Sequence, residues 1–150
     1  MFKRVVVPLD GSEVSEQVFD YLGELASPET MILPTMVIEP AVYVGMGGHA
    51  IWSDELELRR RAEALSWLRS AMETNGWGGA RYQCVVRQGP SVARAIVETA
   101  IDKAADLIAM SSRGRTGLSR LVLGSVAREV VRLSPVRVAI VEDRELALAS

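Results

Sequence analysis

The apolar positions of this chain alternate between two periods. Lys3–Leu9 (KRVVVPL) is a short β-branched run that stops at Asp10-Gly11-Ser12, a turn and helix-cap signal. Val14, Val18, Tyr21, Leu22 and Leu25 then recur at helical spacing, and Ser27-Pro28 ends that helix. Met31–Ile38 predicts a second strand, with Pro34 marking an irregular start. Pro40–Ser53 carries Gly45, Gly47 and Gly48 and has no clean period, which predicts a long loop. Asp54–Asn75 predicts a helix, with Leu58, Leu65 and Met72 at heptad spacing, Ala62 and Leu68 between them, and Gly76, Gly78 and Gly79 after it. Arg81–Arg87 predicts the third strand. Gly89-Pro90-Ser91 opens a helix whose face is Val92, Ala93, Ile96, Val97, Ala100 and Ile101. Asp106–Met110 predicts the fourth strand and Ser111–Ser119 a loop. Leu121, Val122, Val126, Val130 and Val131 form the next helical stripe, Pro135 ends it, and Val136–Val141 predicts the fifth strand before a polar tail.

Strands that alternate with helices imply β-α-β crossovers. The strands lack polar and apolar alternation, as expected where helices cover both faces of a parallel sheet. The expected fold class is therefore α/β, a five-stranded parallel sheet with helices on both faces. No repeat, low-complexity tract or linker divides the chain, so residues 1–150 are expected to form one domain.

Composition narrows the function. The 150 residues are 49% hydrophobic and 24% charged, which excludes disorder. One cysteine, Cys84, permits no internal disulfide and fits a reducing compartment. No apolar run approaches the length of a membrane span or a signal-peptide core, and a cytoplasmic location without membrane contact is expected. A net charge of −2 argues against nucleic acid as a partner. The charge is uneven, however. Between Ser111 and Arg137 stand six arginines (113, 115, 120, 128, 132 and 137) and one acid, Glu129. Beside a glycine-rich turn this suggests a small anion, and an arginine-bearing helix face is the other reading.

In open α/β sheets, ligands lie beyond the carboxyl ends of the strands, where the strand order reverses. Two strand ends carry suitable chemistry: Pro8-Leu9-Asp10-Gly11-Ser12, and Ser111-Ser112-Arg113-Gly114-Arg115-Thr116-Gly117, which leads on to Gly124-Ser125. Glycines let backbone amides approach an anion, a helix N-terminus adds its dipole, and a hydroxyl adds a donor. The Walker pattern G-x-x-x-x-G-K-[ST] is absent, and so is G-x-G-x-x-G after the first strand. Asp10 has a second reading as a cap or turn former, and Gly114 and Gly117 have one in loop geometry. Gly124 falls inside an apolar helical pattern, where glycine costs about 1 kcal/mol against alanine, so a close backbone approach is a reasonable explanation. His49, with no second histidine or cysteine nearby, gives no metal site. Cys84 reads as an inert strand residue, and Trp52, Trp67 and Trp77 as packing. No serine has an identifiable histidine and carboxylate partner, so a hydrolytic triad has no support.

The segments MSSRGRTGLSRLVLGSVAREVV and SPVRVAIVED resemble the C-terminal signature of the universal stress proteins. The ATP-binding members carry G-x2-G-x9-G-[ST]. Gly114, the nine residues that follow, and Gly124-Ser125 fit that spacing, and Ser111 stands where the first glycine would be. VVVPLDGSEVSEQ and VRQGPSVARAIVETAIDKAADLIAM also resemble the family. The resemblance covers most of the chain outside Pro40–Ala80. It implies strand order 3-2-1-4-5, a homodimer, and ATP as ligand, with Mg²⁺ expected on the phosphates; the last strand, Val136–Val141, is expected to be an apolar sheet edge through which the homodimer pairs. By position it implies that Asp10 contacts the ribose, that Val37 offers main-chain groups to adenine, and that Ser111 lies near the ribose; Pro8, on the same strand end as Asp10, is also expected among the nucleotide-binding residues. Gly114, Gly124, Ser125 and the Val126 amide would hold phosphates, with Arg113 or Arg115 adding charge. If the Ser111 side chain points into the cleft, binding weakens; if it points away, its amide serves unchanged. The implied function is a nucleotide-dependent stress sensor or regulator with little ATP turnover. The rivals are a member that binds no nucleotide and acts through its dimer surface, and an ATP-consuming ligase-type enzyme.

Overall fold

In the computed structural model, described over residues 1–40, 42–44, 50–52, 54–112 and 123–142, the first valine run is the middle of the protein. It forms β1 (Arg4–Pro8), in which Val5, Val6 and Val7 are fully buried. The chain continues through α1 (Glu13–Glu16), α2 (Phe19–Leu25), β2 (Met31–Ile38), β3 (Val42–Val44), β4 (Ala50–Trp52) and α3 (Asp54–Thr74). It ends with β5 (Val85–Gln88), α4 (Val92–Asp102), β6 (Leu107–Ser111), α5 (Ser125–Leu133) and β7 (Arg137–Val141). The five-stranded sheet runs β5-β2-β1-β6-β7 and is parallel throughout, which is the expected order 3-2-1-4-5.

Successive residues of each central strand serve opposite cores. Val5, Val7, Leu107 and Ala109 pack with Val18, Phe19, Leu22, Leu68 and Met72. Val6, Ile108 and Met110 pack with Ile96, Val97, Ala100, Ala127 and Val130 on the other side. Each buried valine of β1 contributes about 1.5–3 kcal/mol.

The structure differs from the pattern reading in several places. The first helix is two, because the chain turns at Gln17, where Asp20 N–H bonds the Gln17 carbonyl. The expected loop at 40–53 contains an antiparallel hairpin, Val42 opposite Trp52 and Val44 opposite Ala50. Three-residue strands are too short to show a period. On α3 the buried stripe is Ala64, Leu68, Ala71 and Met72, while Leu58 is 68% exposed. Ile101 and Val131 are likewise exposed.

The third strand begins at Val85, later than expected, with only an isolated bridge from Tyr82 to Ile32 before it. Ile32, Met36 and Ile38 face β5 with their main chain, and Pro34 on the same side has no N–H to give, so the ladder breaks opposite Cys84. Cys84 is half-buried, and burial pushes its thiol up against the opposing pull of Arg69.

Two helices end in the same hydrogen-bond pattern with different residues. After α3, Trp77 N–H bonds the Met72 carbonyl and Gly76 N–H that of Glu73, with Gly76 at φ 82°. After α4, Ala105 N–H bonds the Ala100 carbonyl and Ala104 N–H that of Ile101, with Ala104 at φ 50°. This pattern places its turning residue in the left-handed region, where glycine is free and alanine is strained. Ala104→Gly is expected to stabilise the protein by about 0.5–1 kcal/mol, read as a shift of the urea midpoint at unchanged slope.

Asp106 clips the start of β6 to β1, accepting from the amides of Lys3 at 2.9 Å and Arg4 at 2.9 Å. Partial burial pushes its carboxyl up, but these amide bonds outweigh it and hold the pKa below the ordinary value. A lowered folded pKa gives stability that is present above the unfolded value of about 3.9 and is lost as pH falls through the folded one. Asp106→Asn is expected to cost about 1 kcal/mol at neutral pH, after solvent screening. The gap between variant and wild type should close in acid, measured by urea titration across pH.

Candidate functional site

The strand order reverses between β1 and β6, and a cleft of about 440 Å³ opens there at the carboxyl ends of the strands. Its walls are Pro8, Leu9 and Asp10 after β1, Met36–Glu39 at the end of β2, Met110–Ser112 at the end of β6, and Gly124–Ala127 at the start of α5. Ile96 and Val92 of α4 form an apolar side, and Arg60 of α3 closes the β2 end. Pro8, Asp10, Val37, Ser111, Gly124, Ser125 and Val126 thus all meet in one place. Arg113, Gly114 and Arg115 lie outside the described residues, as do Gly117 and His49. Among the described residues, no cluster of three or more His, Cys, Asp or Glu side chains could hold a metal ion.

Asp10 sits in a built turn. Its Oδ1 accepts from the Ser12 amide at 2.9 Å and from the Ser12 hydroxyl. Gly11 between them has φ 86°, a conformation that favours glycine and explains Asp-Gly-Ser at this turn. The cap of α1 is Ser12, whose Oγ accepts from the Ser15 amide, so Asp10 shapes the turn and leaves the capping to its neighbour. The half-exposed Asp10 remains on the cleft wall.

Val37 presents its backbone to the cleft for a reason of register. Odd residues of β2 face β1: Met31 N–H bonds the Lys3 carbonyl, and Leu9 N–H bonds that of Thr35. After Leu9 the chain turns away. The next pair on that side, the N–H and C=O of Val37, points past the end of β1 with no strand beside it.

The start of α5 departs from the expected helix interior. Gly124 is the N-cap, and the helix begins at Ser125. Gly124 N–H is taken by the Ser112 carbonyl at 2.7 Å, which ties the helix start to the end of β6. The first helical bond runs from Arg128 N–H to the Gly124 carbonyl, so the amides of Ser125, Val126 and Ala127 have no intrahelical acceptor. Among the described residues no side chain caps them, since the N-cap is glycine. All three residues line the cleft. Leu121 and Val122, which extended the apolar pattern upstream, lie outside the described residues.

Ser111 is the last residue of β6, paired with Val141, and not the start of a loop. It is buried and reaches the cleft wall. Of the six arginines in the basic segment, Arg128, Arg132 and Arg137 stand off the cleft, and Arg132 pairs with Glu129 at 2.7 Å on the helix surface. For Arg128 and Arg132 the helix-face reading is the correct one, while Arg137 begins β7.

The model of the universal stress protein family matches residues 1–142. The chain belongs to the universal stress protein family. It is 33% identical over 135 residues to universal stress protein MJ0531 of Methanocaldococcus jannaschii, covering 88% of this chain and 77% of that one. The solved structure of MJ0577, 22% identical, superposes with a TM-score of 0.73 and covers 96% of this chain and 98% of that one, which shows the fold. A universal stress protein solved in complex with cAMP is 25% identical, with a TM-score of 0.66, covering 94% of this chain and 97% of that one.

In this universal stress protein, sequence reasoning missed two charged residues of the cleft. Arg60 lies within a helix whose charges look like a solvated face, and Glu39 lies just beyond a strand. The signal that could have found them is proximity in the fold to Val37, which no spacing in the chain conveys.

Proposed function

We propose that this universal stress protein binds ATP in the cleft and acts as a nucleotide-dependent sensor or regulator in the cytoplasm, with little turnover. The observation that carries the proposal is the glycine-capped start of α5, which leaves the Ser125, Val126 and Ala127 amides at the cleft wall with no partner among the described residues. An anion there would take the place of the missing cap and meet the positive end of the helix dipole. The Ser125 hydroxyl adds one donor, while Gly124, with no side chain and its own N–H engaged, allows close approach.

The other parts fit an adenine nucleotide. Val37 offers a paired N–H and C=O, the complement of an adenine edge with its ring nitrogen and amino group. Asp10 on the β1 turn is placed for a ribose hydroxyl. Ser111, at the strand end, keeps its family position near the ribose. Arg113, Gly114 and Arg115 are assigned to the phosphates by the motif spacing alone. Mg²⁺ would ride on the phosphates and would supply charge neutralisation there. Slow turnover follows from the lack of an evident base to orient water. A relative of similar fold has cAMP bound, which supports an adenine nucleotide as the class of ligand.

A homodimer through β7 completes the reading, since that strand is an edge of the sheet with Val138, Ala139 and Ile140 half-exposed. The test is titration calorimetry of nucleotide-stripped protein with ATP and Mg²⁺, together with mass spectrometry of nucleotide released on purification. Saturable binding is expected. No heat at millimolar ATP would overturn the reading and leave the member that works through its dimer surface.

A further inference from the structure

Arg60 is the one cationic side chain among the described residues that line the cleft, and it stands at the β2 end, against the Glu39 carbonyl. It belongs to the second turn of α3 and is half-buried. One guanidinium nitrogen, Nη1, donates to the Glu39 carbonyl at 2.7 Å. Glu39 follows β2 directly, two residues beyond Val37. The next residue, Arg61, donates from Nη1 to the Val86 carbonyl at 3.1 Å. The pair therefore fastens α3 to the ends of β2 and β5, and the planar Arg60 head is held at the strand end with its remaining donors uncommitted to Glu39.

An arginine that served only charge neutralisation would be expected beside the Ser125, Val126 and Ala127 amides of α5. Arg60 instead shares the β2 end with Val37, Ile38 and Glu39. A planar cation at that end suits the flat face of an aromatic base, which it attracts without needing a phosphate. We propose that Arg60 is a specificity-determining residue that contacts the base of the bound nucleotide, selecting an aromatic base over ligands recognised by phosphate alone. This rests on the nucleotide reading above and adds a residue to it.

The Glu39 bond holds the guanidinium in one orientation, so little side-chain entropy remains to be lost on binding. Lysine would keep the charge but not the planar fork that can hold the carbonyl and present a face together.

The experiment measures adenosine, AMP and ATP binding by calorimetry for the wild type, Arg60→Met and Arg60→Lys. Methionine keeps an unbranched apolar stem, and thermal melting with circular dichroism establishes that each variant is folded. A base contact predicts that Arg60→Met weakens all three ligands by the same factor, roughly three- to thirtyfold. Arg60→Lys should recover only part of the loss, and the factor should hardly change with salt. A loss that grows from adenosine to ATP, is rescued by lysine and fades in high salt would assign Arg60 to phosphate and overturn the proposal. Unchanged affinities in a folded Arg60→Met would reduce Arg60 to a structural tie and overturn it equally. If the wild type binds none of the three ligands, the nucleotide reading falls and this proposal with it. If the wild type binds and the variants match it, the Arg60 assignment alone is wrong.

Discussion

Gly124→Asp is expected to abolish ATP binding while the protein stays folded. The residue is the N-cap of α5, at φ −57° and ψ 157°, an extended conformation open to any amino acid. Aspartate is among the preferred N-caps, and its carboxylate can accept from the amides two and three residues on. Those are the Val126 and Ala127 amides, which have no partner among the described residues of the wild type. The substitution thus fills the anion position with an anion that the chain itself carries. Helix stability should rise by a few tenths of a kcal/mol, since glycine is already a tolerable cap. Binding should fall steeply, because a phosphate brought against the carboxylate costs several kcal/mol, about a hundredfold or more in affinity. Adenosine has no phosphate and should lose little. Calorimetry with both ligands, and a urea titration for stability, measure the contrast. Retention of wild-type ATP affinity by a folded Gly124→Asp would remove α5 from the site.

Dimer dissociation is the second large effect expected, from Val138→Lys. β7 pairs with β6 through its odd residues: Ser112 N–H bonds the Val141 carbonyl, and Val141 lies opposite Ser111. Val138 and Ile140 therefore direct their N–H and C=O groups outward, where the sheet has no further strand. An edge of this kind pairs with a second copy by a two-fold axis, strand against strand. Both outward residues are half-exposed and pack partly on the α4 and α5 side of the sheet. Lysine at 138 can keep its stem on that surface while its ammonium occupies the contact. Symmetry presents the charge twice, and like charges brought together cost several kcal/mol, which is about a hundredfold or more in dimer affinity. Light scattering should give a dimer for the wild type and a monomer for the variant, with circular dichroism as the check on folding. A wild type that is monomeric at high micromolar concentration would end the dimer proposal.

Much of the architecture was legible in the chain because parallel sheets leave a local signature. Val5–Val7 and Leu107–Met110 are continuous apolar runs, and a strand covered on both faces has no polar side to alternate with. Gly76 after α3 and Ser91 before α4 are terminus signals that act within a few residues, and both hold. Asp10-Gly11-Ser12 announced a turn, and Gly11 at positive φ is why. The glycine pattern around Gly124-Ser125 is likewise a local constraint, so family membership could be recognised before any folding was considered.

What the chain could not express is set by partners distant in sequence. Periodicity placed Leu58 in the core, but the face α3 buries is decided by the sheet beneath it, and that face is Ala64, Leu68, Ala71 and Met72. The late start of β5 depends on Pro34 lying beside it, fifty residues back in the chain by the pairing of Thr35 with Val85. Gly124 looked like a helix interior and is a cap, because the Ser112 carbonyl at the end of β6 fixes where α5 begins. Val37 gains its chemistry only from where β1 stops, and Arg60 only from the carbonyl of Glu39. Sequence by itself determined the elements, their order and the residue types of the site, because those follow from side-chain size, charge and backbone freedom at each position. Tertiary structure alone decided which main-chain groups are left unpaired and which side chains share the cleft, because hydrogen bonds across a sheet are assigned by register between strands and not by neighbours along the chain.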